Sequence, residues 1–177
     1  MTMPAPPSLT YALDMALPGG KRPGYYAQII KALAERATVF DRDKELFIFL
    51  SASDRESALP VMSQYNVPAE PIDLLLLPES FTPRPTFTDF GFVSRMERFY
   101  LYADTAVLFR LFPASPSSQG SFSNPVSAAL QLEEHLLGHW VGAEGQTAYA
   151  MESQHDELAV GIARAYGCSL EWLYKPL

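Results

Sequence analysis

Cysteine is almost absent from this 177-residue chain: Cys168 stands alone, so no intrachain disulfide forms and a cysteine-based zinc site is excluded. Long hydrophobic runs are missing too. The apolar stretches, Leu46–Leu50 and Leu74–Leu77 among them, fall far short of the about 20 residues that cross a bilayer as a helix. Positive charge is scarce: 13 Lys and Arg against 20 Asp and Glu leave a net charge of −7. Such a balance repels phosphate backbones and anionic lipid, so neither nucleic acid nor membrane is expected as a partner. Met1–Ser8 is proline-rich with no apolar core of a signal peptide, and the expected compartment is the cytoplasm. Neither the GxxxxGK[ST] phosphate loop nor GxGxxG occurs, no internal repeat is visible, and no cofactor is expected.

What is present suits a core. Hydrophobic residues make up 48% and charged residues 19%, and the length fits one globular α/β domain over 1–177. A flexible tail is expected over 1–7 and a mobile Ser/Pro/Gly loop over 113–124.

Ser8–Leu17 alternates, with Leu9, Tyr11, Leu13, Met15 and Leu17 on one face, which predicts a strand. Tyr25–Ala37 has helical spacing, with Ile29 and Leu33 on the apolar arc. Leu46–Leu50 reads as a strand covered on both faces, and Ile72–Leu77 as another. Between them Leu59–Tyr65 is at most a short helix, with Pro60 in its first turn. This order predicts an open mixed sheet that begins with a parallel βαβαβ unit, with helices packed on it. A hairpin over Val93–Phe112, turning near Ala103–Thr105, and further α/β elements would extend the sheet. Asn124–Pro125 predicts a helix start, continuing from Val126 to about Trp140. A short strand over Thr147–Met151, a helix started by a Ser153/Asp156 capping box and ended at Gly167, and a strand over Cys168–Tyr174 complete the expectation.

In an open parallel sheet, ligands bind beyond the carboxyl ends of the strands. That rule gathers Lys21 and Arg22, then Ser53, Asp54 and Arg55, then Glu79 and Ser80, on one rim suited to an anionic, phosphorylated ligand. Asp41 and Asp43 precede their strand and read as a solvated turn. Glu133 falls inside the apolar arc of the expected 126–140 helix, so it needs an arginine such as Arg95, Arg98 or Arg110, or else serves as a general acid or base. His135 and His139, four apart on that helix, face away from the arc and form a candidate metal pair; His155 packs on its own helix. Phe81, Phe87, Phe90, Phe92, Phe99, Tyr100 and Tyr102 make a segment rich enough in aromatics to serve as a protein interface.

Ala163–Leu173 resembles the closing helix and turn of phage-repressor-type helix-turn-helix proteins. The resemblance implies a helix over Cys168–Tyr174 in place of a strand, and it carries over no functional residues, because no recognition helix precedes it. With no nucleophile–base pair in view, the residues point first to a non-catalytic interaction or assembly protein (a subunit, chaperone, inhibitor or immunity-type partner) that contacts another protein or itself. A small-molecule enzyme or binding protein at the rim, and a metal-dependent hydrolase on His135 and His139, are the alternatives.

Overall fold

The alternation of Ser8–Met15 forms β1 and sends Leu13 and Met15 to one face and Thr10 and Ala12 to the other, all four buried. The structure, a computed structural model, describes residues 5–17, 19–114 and 123–177; of the tail expected over 1–7 and the loop expected over 113–124, residues 1–4 and 115–122 lie outside the described residues. Pro23 at the first turn starts α1 (Pro23–Arg36). The chain then forms β2 (Asp41–Asp43), a two-residue turn with Lys44 at φ 53°, and β3 (Leu46–Phe49). Ser51 caps α2 (Ala52–Gln64) by accepting from the Asp54 amide, and β4 (Ala69–Leu76) follows. Pro60 therefore sits well inside a helix that was expected to begin at it. It lies on the exposed side, where the carbonyl it leaves unbonded faces water.

The expected parallel βαβαβ unit is not formed. β1 pairs with both β3 and β4, and both pairings are antiparallel. The reason is the β2–β3 hairpin: Asp41–Asp43, expected as a turn, is itself a strand, and it reverses the chain before β3 enters the sheet. β3 and β4 run alike, but β1 lies between them. The helices α1 and α2 cover one face, burying Leu13, Met15, Phe47 and Phe49 against Ile29, Leu33, Val61 and Met62. The sheet continues through β7 (Phe99–Tyr102) and β6 (Gly91–Val93), in the order β2-β3-β1-β4-β7-β6.

A second sheet, in the order β11-β8-β10-β9-β5, holds β5 (Thr82–Pro83), β8 (Ala106–Pro113), β9 (Leu136–Val141), β10 (Thr147–Glu152) and β11 (Cys168–Tyr174). Its helices are α3 (Pro125–Leu132) and α4 (Asp156–Ala165). β8 pairs antiparallel with β10 and β11, and β10 with β9. So β8-α3-β9-β10-α4-β11 repeats the wiring of β1-α1-β2-β3-α2-β4. In each, the first strand lies between the third and fourth, which is the ferredoxin-like arrangement of two split βαβ units. The repeat is one of topology, invisible as residue similarity. The chain accordingly packs as two compact units, residues 1–77 with 93–102 and residues 78–92 with 103–177. β7 and β8 are both strands, as expected, and the turn lies at Ala103–Thr105. They do not form a hairpin, because β7 pairs with β4 and β8 with β10 and β11.

Cys168–Tyr174 is a strand, so the helix implied by the repressor resemblance is not there. The Ser153/Asp156 box is also unused: Ser153–His155 is a 3-10 turn, and α4 starts without a side-chain cap. Gly167, at φ 68°, ends that helix region in the left-handed conformation glycine tolerates.

Gly138 is fixed by packing. A Cβ there would lie 2.2 Å from Phe81 Cζ and 2.6 Å from the Thr82 carbonyl oxygen, so the β5–β9 contact and the Phe81 ring leave no room for one. Gly138→Ala is expected to cost about 1–3 kcal/mol through overpacking, seen as a melting temperature lowered by several degrees. Phe81→Leu in the same background should restore part of the loss, and an unchanged melt would show that the slot is loose.

Candidate functional site

The rim expected from sequence comes apart. Because β1 runs opposite to β3 and β4, Lys21 and Arg22 leave the first sheet at the edge opposite to Ser53, Asp54 and Arg55. Lys21 lies over the Tyr25 ring, 5.6 Å from its centroid. Asp54 accepts from Ser51 Oγ at 3.0 Å and from the Thr38 amide at 3.4 Å, tying the α2 start to the segment after α1. Arg55 spans to Asp73 at 2.7 Å and to the Ile72 carbonyl at 3.2 Å, with its guanidinium over Tyr11. Glu79 and Ser80 form an exposed turn in the other unit, closed by the Phe81 amide on the Pro78 carbonyl. Lys21, Asp54 and Arg55 thus have local partners.

The aromatic segment is divided between core and surface. Phe81, Phe87 and Tyr100 are buried, and Phe90, Phe92, Phe99 and Tyr102 are half-buried. Phe81 packs on Phe87 and Trp140 at centroid distances of 5.5 and 6.3 Å.

The expected helix over 126–140 stops at Leu132; Glu133–His135 is a 3-10 turn and Leu136–Val141 is β9. Glu133 consequently lies on no apolar arc. It is half exposed and pairs with Arg84 at 3.0 Å, an arginine not among those expected. His139 is exposed on β9, apart from His135. His135 instead meets His155, with ring centroids 4.7 Å apart. The β9–β10 hairpin brings them together: Leu136 pairs with Met151, so residues just outside its two ends become neighbours. The turn Gly142–Gly145, with Gly145 at φ 85°, is the signal in the sequence that marks this hairpin. Among the described residues, no group of three or more His, Cys, Asp or Glu is arranged to hold a metal ion. The Cys168 thiol is buried beside Ser123 and the Tyr166 carbonyl.

Sequence reasoning missed the most buried charge. Asp41, taken for a solvated turn residue, has a side chain wholly withdrawn from solvent. It accepts from Ser94 Oγ at 2.5 Å, from Tyr100 OH at 2.9 Å and from the Arg42 amide at 2.7 Å. Arg98 lies 3.6 Å away and stacks over Phe40. The Arg95 amide also bonds the Arg42 carbonyl at 3.0 Å, so the first sheet curls until β2 meets the turn between β6 and β7. The interior so enclosed holds Thr10, Ala12, Ile48, Leu74 and Leu76 beside Tyr100. Nothing local marks Asp41, because the side chains that donate to it, Ser94 and Tyr100, lie more than fifty residues away. This is a structural hub whose hydroxyls, Ser94 and Tyr100, are both engaged as donors to Asp41, beside an open groove of about 240 Å³ lined by Phe40, Arg42, Arg95 and Met96 among others.

One surface differs in kind. α3 carries no charged residue, and although Ala128 and Leu132 are buried, Val126 and Leu130 are 70% and 64% exposed. The apolar arc expected along a 126–140 helix is thus divided: Val126 and Leu130 face outward while α3 buries its other side, and Leu137 and Trp140 belong to β9. Leu130 borders a groove of about 360 Å³ shared with Arg84, Gln131, Glu133 and Glu134. No helix among the described residues is long and apolar enough to cross a membrane. No family model, no curated protein and no solved structure matches this chain.

Burial, then the Asp41 charge and its hydrogen bond, push the Tyr100 phenol well above its ordinary value, with Arg98 pulling the other way. Burial raises Tyr102 and Tyr149 as well. A raised folded-state value leaves this contribution intact below about pH 10, where the unfolded phenol titrates, and removes it as pH rises further. Urea melts should therefore show stability falling above about pH 10, with a shallower fall in Tyr100→Phe; an equal fall would assign the effect elsewhere. Asp41→Ala leaves Tyr100 and Ser94 without their shared acceptor and should cost about 3–5 kcal/mol, whereas Glu133→Gln, at a half-exposed pair, should change stability by less than about 1 kcal/mol.

Proposed function

We propose that the protein is a non-catalytic interaction or assembly subunit that docks through α3. The observation carrying this reading is the pair Val126 and Leu130, one helical turn apart and each well over half exposed on a helix without charge. Every other helix carries charged residues along its length. Burying an aliphatic side chain of this size is worth about 1.5–3 kcal/mol, so the two supply a useful core for a modest interface.

Supporting the same reading, the titratable groups that sequence suggested for chemistry have structural partners: Asp54 with Ser51, Arg55 with Asp73, Glu133 with Arg84. The antiparallel course of β1 sends Lys21 and Arg22 to the other end of the first sheet from Ser53, Asp54 and Arg55.

The test is capture from the native host with the tagged full chain beside Leu130→Lys and Val126→Lys. Binding to specific proteins should survive in the parent chain and drop at least tenfold in either variant, while thermal melts stay superimposable. Identical capture by parent and variants would remove α3 as the docking element.

A further inference from the structure

We infer that the occupant of the α3 strip is a second copy of this chain, docked with the two α3 helices antiparallel across a two-fold axis; this rests on the interaction reading above. A two-fold contact needs a patch that complements itself. Val126 and Leu130 stand one turn apart, so in an antiparallel pair each Val126 lies opposite the other copy's Leu130.

Charge sets the direction. α3 has no acidic residue in its first turn, and its positive dipole end lies there, behind the Asn124 cap. Glu133 and Glu134 follow its other end; Glu133 is paired with Arg84, and Glu134, 82% exposed beside His135, is the acid that faces outward. Antiparallel docking brings the acidic end of each copy to the positive end of the other. Parallel docking would set acid against acid. The strip itself holds no charge, so closing it strands none. With eight residues in α3, the patch is small against the area a permanent dimer buries, and the association is weak and reversible.

Sedimentation velocity on the full chain over a hundredfold concentration range tests this. Expected is a monomer–dimer equilibrium, weakened at least tenfold by Leu130→Lys and severalfold by Glu134→Lys, while Lys31→Glu on α1 leaves it unchanged. Sensitivity to Glu134→Lys is the readout that random apolar sticking does not move. A monomer at every concentration, or a dimer indifferent to Leu130→Lys, overturns the proposal; indifference to Glu134→Lys overturns the antiparallel arrangement. If the chain is monomeric and host capture still depends on Leu130, a second copy is excluded while the docking role of α3 stands. If capture ignores Leu130, that role fails as well.

Discussion

A strand bonded on both sides dictates where its neighbours begin and end, and in this protein that strand is β1. Its eight residues pair along their length with β4 and over Tyr11–Asp14 with β3, always antiparallel. Once both flanks are antiparallel, β3 and β4 must run alike with β1 between them, and α2 must cross over β1 to join them. The helices then share one face because Leu13, Met15, Phe47 and Phe49 present a common apolar surface there. β8 imposes the same constraint in the second unit, between β10 and β11. Both units thus obey one rule with different residues.

The first unit adds a closure that the second is not seen to use. A carboxylate without solvent costs several kcal/mol unless donors surround it, and Asp41 gathers Ser94, Tyr100 and the Arg42 amide, with Arg98 alongside. Those donors lie around β6 and β7, so the polar requirement of one side chain pins the far edge of the sheet to β2. Small residues on the enclosed face, Thr10 and Ala12, permit the curvature. Buried polar hubs of this kind specify an arrangement more than they add net stability.

With the Asp41 cluster occupied in this way, the surface feature that stands out among the described residues is the apolar excess of α3. α3 is amphipathic in the usual sense toward Ala128 and Leu132, yet its outer side is also aliphatic. A helix apolar on two sides has more to bury than its own unit covers. That surplus is the observation on which the proposed docking role rests.

Several elements were legible in the residues alone. Period-two alternation located β1, the Asn124–Pro125 pair located the α3 start, and Cys168–Tyr174 is the strand expected of it. These signals are local: they depend on which side chains a short segment sends to which face. Strand direction, the β2–β3 reversal, the end of α3 at Leu132, the meeting of His135 with His155 and the burial of Asp41 were decided only by the tertiary structure. Each depends on a hydrogen-bond ladder or partner supplied by a distant segment, and an isolated stretch of sequence carries no record of the far side of such a bond. By itself the sequence determined the alternation of strands and helices and the supply of apolar side chains; the pairing of edges determined which of those side chains, Val126 and Leu130, were left outside.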